Sequence, residues 1–215
     1  MTDPNDDLVV VTKGDANTGS IPGRLILAQN ESLFSTADQM LDKRNKITRY
    51  TTSSEKFDDF LQGGFESQSI TELAGEFGSG KSQICHTLCI AVNKLKERGD
   101  TNDSDKNKQS KNGNVIYVDP ENTFRSERVY QIAEQNGLDP LAVLETIYHC
   151  NVLNSEELES IIDNLDKFVE QYNAKLVVID SIISLHRAEF SGRGTLAERQ
   201  QRLGRMLSKL RRCEV

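Results

Sequence analysis

The chain has 215 residues, enough for one ordinary globular domain and hardly for two. Hydrophobic residues make up 36%, a low share, so part of the chain is expected to stay outside any core. The net charge of −7 excludes a uniformly basic nucleic-acid binder but not a local basic patch, and no apolar run approaches the ~18 residues of a membrane span.

The opening run MTDPNDDLVVV is acidic and lacks a basic head before a long apolar stretch, so it does not read as a secretory signal. Residues 1–31 mix Asp, Asn, Gly, Thr and Pro around two apolar bursts, LVVV and LILA. They read as a mostly irregular tail with room for one weak strand at residues 8–11. Residues 32–50 read as a linker containing a helix, SLFSTADQMLDKRNK, whose N-cap is Ser35 or Thr36.

Residues 51–215 read as the core. The run ITRYTTSS, which leads into it, is a strand entering a turn. FDDFLQGG is a short helix stopped by Gly63 and Gly64, and SITELAG is an alternating strand. The glycine-rich GEFGSGKS follows. A long helix then runs to about Arg98, with Ile84, Leu88, Ala91, Val92 and Leu95 at helical spacing. Residues 99–114 carry almost no apolar side chain and read as a disordered polar loop.

Beyond it, strands and helices alternate: strand NVIYVD, helix SERVYQIAEQNG, strand TIYHCNVL, helix SEELESIIDNLDKFVEQY, strand KLVVIDS, then the basic helix TLAERQQRLGRMLSKLRR. Near-continuous apolar strands separated by helices predict an α/β fold, a mostly parallel sheet covered on both faces. The four cysteines, Cys85, Cys89, Cys150 and Cys213, form no CxxC pair and read as buried or half-buried thiols in a reducing cytosol.

Gly75, Glu76, Phe77, Gly78, Ser79, Gly80, Lys81 and Ser82 match GxxxxGK[ST] between a predicted strand and a predicted helix. Glycines let the backbone wrap an anion with its amides pointing inward, and the helix N-terminus adds its dipole. Lys81 would reach the β- and γ-phosphates of ATP, and the Ser82 hydroxyl would ligate Mg²⁺. Asp180, ending KLVVIDS, supplies the second group for the metal. Hydrolysis also needs a group to orient water. In NVIYVDPENTF, Asp119 reads as a turn cap, while Glu121, two residues further out, takes the water-activating role.

The runs FSTAD, ITELAGEFGSGKSQICHTL, YVDPENTFRSERV, LVVIDSI and FSGRGTLAERQQRL resemble the RecA-like recombinases, most closely the archaeal RadA and eukaryotic strand-exchange branch. The resemblance extends from about Phe34 to Leu210. It implies a RecA-like phosphate-loop ATPase core, a DNA-dependent ATPase of homologous recombination and repair, and ATP with Mg²⁺ as the bound groups. It implies that Glu121 is catalytic with Lys81, that Arg128 stacks on adenine, and that Gln83 belongs to the nucleotide site. Phe34 and Ala37 match the FxxA motif through which one protomer docks on the next. The segment from His186 resembles the first DNA-binding loop, with Arg187, Arg193 and Arg199 as contacts. From His186 onward eight basic residues oppose three acidic ones, a local net of +5. On charge alone that segment reads as a solvated basic helix face.

The expected partners are single- and double-stranded DNA, together with other copies of the chain or a full-length recombinase, and no membrane. The expected location is the nucleoid-associated cytoplasm of an archaeon or the nucleus of a eukaryote. The family's N-terminal helix-hairpin-helix domain has no counterpart here, nor do the strand resembling AVVITNQ and the second DNA loop that follow the basic helix. The chain therefore reads as an incomplete core, with the sheet expected to end at the Asp180 strand and an apolar edge uncovered. Two functions stay open: a filament-forming ATPase for homologous pairing and strand exchange, and a non-catalytic paralogue or fragment that docks on and modulates recombinase filaments. A small-molecule kinase with the same phosphate loop would leave the GRG loop and the FxxA site unexplained.

Overall fold

The computed structural model describes residues 8–12, 36–45, 47–98, 113–190, 192 and 194–213. Three strands form the middle and one edge of the main sheet: β5 (Asn114–Asp119), β6 (Ile147–Asn151) and β7 (Ala174–Ile179). β5 pairs in parallel with both of the others. β1 (Leu8–Thr12) and β4 (Ser69–Leu73) complete it in the order β4-β1-β7-β5-β6. β1 is antiparallel to β4 and to β7, so the other four strands run the same way and β1 alone is reversed. A separate two-stranded ribbon pairs β2 (Arg49–Tyr50) with β3 (Phe65–Glu66).

The apolar strands are buried on both faces, which is why their sequences do not alternate with polar residues. On β5 and β7, Ile116, Val118, Val177 and Ile179 face one way. They pack on Leu158, Ile162, Leu165 and Val169 of α6 (Ser155–Asp163) and α7 (Leu165–Gln171), and on Met206 and Leu210 of α9 (Leu196–Leu210). Val115, Tyr117, Leu176 and Val178 face the other way, onto Cys85, Leu88, Cys89 and Val92 of α3 (Lys81–Arg98). Phe65 and Tyr50 of the ribbon close that layer. Gly64 sits at the approach, where its φ is +111° and a Cβ would lie 2.3 Å from the Tyr50 carbonyl oxygen, so the turn admits only glycine. A satellite core joins Ile90 to Val129, Ile132 and Ala133 of α4 (Ser126–Gln135) and to Val143 of α5 (Pro140–Leu144).

Several sequence expectations change. Within the tail of residues 1–31, the LVVV burst is a strand of the main sheet, so the ordered core does not begin at residue 51. β1 also covers the edge of β7 that was expected to lie open. The LVVVT segment can serve as a strand in the middle of the sheet because its five residues all pair with β4 and four of them also pair with β7. The single helix expected over SEELESIIDNLDKFVEQY is two, broken where Asn164 turns its side-chain amide back onto the Ser160 carbonyl at 2.9 Å. Two short helices were not foreseen: α5, and α8 (Ser184–Glu189). α5 is capped by Asp139, whose carboxylate accepts from the Leu141 and Ala142 amides ahead of Pro140 at the first turn.

The helix expected near the FSTAD run is α1 (Ala37–Asn45), with Thr36 at its cap: the Gln39 side chain accepts from the Thr36 amide at 3.1 Å. α2 (Glu55–Phe60) ends, as expected, before Gly63 and Gly64. The expected polar loop of residues 99–114 lies outside the described residues except for Gly113 and Asn114, and so does most of the tail.

Val10 lies opposite both Thr71 and Val178. A Val10→Pro substitution removes a ladder hydrogen bond and leaves its partner carbonyl unsatisfied, at about 1–3 kcal/mol. The expected result is a fall in the thermal midpoint of roughly 2–4 °C per kcal/mol, followed by circular dichroism. An unchanged midpoint would show that β1 contributes nothing to the fold.

Candidate functional site

The C-terminal ends of the codirectional strands carry the chemistry. The phosphate loop leaves β4 and enters α3. Gly78 and Gly80 have φ of +79° and +95°, left-handed values that leave the loop to glycine. Lys81 Nζ donates to the Gly75 carbonyl at 2.8 Å and to the Glu76 carbonyl at 3.0 Å, so the lysine is curled onto its own loop. Ser82 follows in the first turn of α3, and Phe77 stands 93% exposed at the loop tip.

Val118 of β5 lies opposite Ile179 of β7, so the next residues, Asp119 and Asp180, leave the sheet side by side. Asp180 is buried. Its Oδ2 accepts from the Tyr117 hydroxyl at 2.9 Å, two residues back along the neighbouring strand. The Tyr117 ring is fixed by Phe124 at 4.7 Å and by His86 at 5.9 Å between centroids. Burial first, and the Asp180 charge next, push the phenol well above its ordinary pKa, so it stays protonated and donates. His86 is buried and neither ring nitrogen has a hydrogen-bond partner among the described residues. Burial outweighs the attraction of Asp180 and holds its pKa below the ordinary histidine value.

Asp119 behaves as the turn cap foreseen for it. One oxygen accepts from the Thr123 amide at 3.0 Å; the other accepts from the Phe124 amide at 2.8 Å and meets His149 Nε2 at 3.1 Å. This closes the loop that presents Glu121. The Glu121 carboxylate reaches across to the Ser181 hydroxyl, which donates to it at 2.8 Å, and so lies beside the residue following Asp180. Arg128 and Gln83 are brought together as well: the Arg128 Nε donates to the Gln83 Oε1 at 2.7 Å, tying α4 to the start of α3.

The donor set suits Mg²⁺, a hard ion that keeps most of its waters and takes one or two protein oxygens. Asp180 is a carboxylate at a strand end, and Ser82 is a hydroxyl at a helix start. No cluster of three or more His, Cys, Asp or Glu that could cage a softer metal occurs among the described residues. Cys85, Cys89 and Cys213 are buried and Cys150 is half-buried, all as free thiols. Burial pushes the Cys85 thiol well above its usual pKa and that of Cys213 up to about 12.

At the opposite side of α6, the segment that resembles a DNA loop spans α8 to α9. Both its flanks converge on Glu159 of α6. His186 Nε2 lies 3.1 Å from Glu159 Oε1, and Arg202 Nη1 donates to the same oxygen at 3.1 Å. Arg202 also donates to Glu198 and lies 4.8 Å over the Phe190 ring. Glu189 accepts from the Ser155 amide at 2.8 Å and from its hydroxyl. Sequence reasoning did not foresee this clamp; its partners are 27 and 43 residues apart and no motif links them. Arg187 and Arg199 are half-buried, and the Arg199 Nε has no hydrogen-bond partner among the described residues. Arg193 and Phe34 lie outside the described residues, while Ala37 is exposed at the start of α1.

Asp119 gives a pH dependence. Burial raises its pKa, but the Phe124 and Thr123 amides and His149 outweigh that and hold it below the ordinary carboxylate value of 3.8. A depressed folded-state pKa stabilises fully above the unfolded value of about 3.9, and the contribution is lost as pH falls through the lower folded value. Asp119→Asn should therefore lower stability at neutral pH and flatten the acid limb below about pH 4, read by urea unfolding from neutral pH downward. An acid limb as steep as that of the parent chain would refute the assignment.

Residues 43–214 match the family model described as Rad51. Three proteins called DNA repair and recombination protein RadA align with most of the chain. That of Cenarchaeum symbiosum is 41% identical over 83% of this chain and 42% of its own length. That of Ignicoccus hospitalis is 42% identical over 82% and 53%, and that of Aeropyrum pernix 43% identical over 88% and 57%. The chain thus spans about half the length of the curated relatives it matches. The match covers the phosphate loop, the strand ends bearing Glu121 and Asp180, and the clamped GRG segment together, and the chain belongs to the Rad51 family.

Proposed function

We propose that the chain is the nucleotide-handling part of a DNA-dependent ATPase of homologous recombination. The observation that supports the reading is the placement of the Lys81 loop after β4, and of Glu121 and Asp180 after β5 and β7, all at the C-terminal ends of codirectional strands, together with the Arg128–Gln83 hydrogen bond. Gly75 to Ser82 wrap the phosphates. Lys81 exchanges the Gly75 and Glu76 carbonyls for phosphate oxygens, a charge-assisted replacement for two neutral acceptors. Ser82 and Asp180 hold Mg²⁺, which neutralises charge on the β- and γ-phosphates when bound. Glu121 orients the attacking water and takes its proton. Arg128, steered by Gln83, offers its flat guanidinium to the adenine face.

The GRG segment supplies the DNA contact. Arg187, Arg193 and Arg199 meet phosphates of single- or double-stranded DNA in a sequence-tolerant, salt-sensitive way. Phe34 and Ala37 dock the chain on another copy or on a full-length relative to build a filament. A chromosomal setting follows from that chemistry; the described residues contain no helix long and apolar enough to cross a membrane. One observation favours the second reading, a form that docks on recombinase filaments without catalysing exchange. β1 runs antiparallel along β7, on the edge that a further strand of the family core would need.

ATP turnover with and without single-stranded DNA separates the two. The ATPase reading expects DNA-stimulated turnover that Lys81→Ala reduces by roughly 10²–10³-fold. It expects Glu121→Gln to keep nucleotide binding while losing about 10²–10⁴-fold in turnover. Absence of turnover, with binding to a full-length relative that Phe34→Ala abolishes, would overturn it in favour of the modulator. For the loop, Arg199→Ala should weaken DNA binding evenly across sequences and reduce the salt slope by about 1, measured by fluorescence anisotropy between low and moderate salt. An unchanged slope removes Arg199 from the interface.

A further inference from the structure

We propose that Tyr117 is a positioning residue for the metal site, aiming the Asp180 carboxylate through its hydroxyl. The inference rests on the reading of Asp180 as a magnesium-holding group.

Tyr117 sits in the middle of β5 on the face turned to α3, among Cys85, Cys89, Leu176 and Val178. A residue at that place in a doubly buried strand needs only to be apolar. Leu176 and Val178 on the neighbouring strand meet that need, and Tyr117 instead brings a polar atom into the layer. That atom donates to Asp180. The register explains the reach. Tyr117 lies opposite Val178, so Asp180 is its diagonal neighbour two residues further along β7, within range of a ring-length side chain.

Neither partner has freedom to wander. The ring is wholly buried and packed against Phe124, His86 and His149, at 4.7, 5.9 and 6.4 Å between centroids. The carboxylate is buried and its Oδ2 is the atom that accepts. One hydroxyl proton thereby fixes the plane of the carboxylate and occupies one lone pair on Oδ2. Oδ1 and the remaining lone pairs are left for the ion and its water shell. Without the proton, the carboxylate keeps its place on β7 but loses the donor that sets its rotation. Residues that orient a metal-holding group in this way characteristically tune affinity about 10–100-fold.

Tyr117→Phe removes the oxygen and leaves the ring, so the aromatic packing is retained. The measurement is binding of a fluorescent ATP analogue by the full chain as Mg²⁺ is titrated, beside the same titration without metal. The expected result is an Mg²⁺ half-saturation raised about tenfold, with metal-free affinity within twofold of the parent chain and a thermal midpoint close to the parent's, unlike that of ring-truncated Tyr117→Leu. In an Asp180→Asn background the same substitution should change the half-saturation no further. Superimposable Mg²⁺ curves for parent and Tyr117→Phe would overturn the proposal, and so would an equal loss of affinity with and without metal, which would mark the hydroxyl as part of the packing only. A parent chain whose analogue binding ignores Mg²⁺ would instead refute the magnesium role of Asp180 itself, and the positioning role with it.

Discussion

Parallel pairing of β5 with β7 is the constraint on which the rest depends. It brings two segments about 60 residues apart into one register, and that register sets where every charged group can emerge. Both strands are covered by helices on both faces, so a carboxylate along their length would be buried without water. The chain places its acids after the last apolar residue of each strand, Asp119 after Val118 and Asp180 after Ile179. Even there both are buried, and each is given donors: amides and a histidine for Asp119, a phenol for Asp180. Glu121, further out, is exposed and accepts from the Ser181 hydroxyl. Distance from the sheet thus decides how deeply each carboxylate is buried.

What was legible in the chain follows the same division. Strands NVIYVD and KLVVIDS, and the helices around them, announce themselves by near-continuous apolar runs and helical spacing, because double-sided burial demands both, while TIYHCNVL, at the sheet edge, mixes polar residues into its run. The phosphate loop is legible because glycine at a left-handed φ has no substitute. The reversed strand β1 was read only as a weak strand within a tail, since nothing local in LVVVT says that two strands await it 60 and 165 residues away. α5 carried a readable signal in Asp139-Pro140, a cap followed by a first-turn proline. α8 carried none, and the break at Asn164 depends on one side chain choosing its own backbone over solvent. Asp180, Glu121, Arg128 and Gln83 were assigned by motif and resemblance, and the structure adds the contacts that bind them into pairs. Tyr117 and His149 escaped notice because a tyrosine and a histidine inside strands look like packing until the opposite strand is known.

The acidic total and the basic end also need to be read together. Formal counting credits the segment from His186 with +5, yet Arg202 is occupied by Glu159 and Glu198, and Lys209 pairs with Asp163 at 3.1 Å. Those pairs are partly exposed, so their worth is small as stabilisation and larger as geometry. With the His186–Glu159 contact they fix α8 and α9 against α6 on either side of the GRG segment, where a Cβ on Gly194 would meet nothing within 4 Å. Charge used in rooting is charge already paired within the protein, which is why the formal +5 overstates the charge left over in the segment.

Two charges of the candidate site are held by the same logic. Lys81 donates to two carbonyls, and Glu121 accepts from the Ser181 hydroxyl. The Lys81 bonds to the Gly75 and Glu76 carbonyls have a charged donor only, whereas a phosphate oxygen would bring a charged acceptor as well. Glu121 is different. Its partner Ser181 directly follows Asp180, so whatever shifts the end of β7 also shifts the hydroxyl that restrains Glu121. Asp119 meanwhile holds the other end of the Glu121 loop rigid through three contacts. Asp119 thus anchors one end of the Glu121 loop, and the Ser181 hydroxyl ties the Glu121 carboxylate to the residue that follows Asp180, so Glu121 and the end of β7 are held against each other.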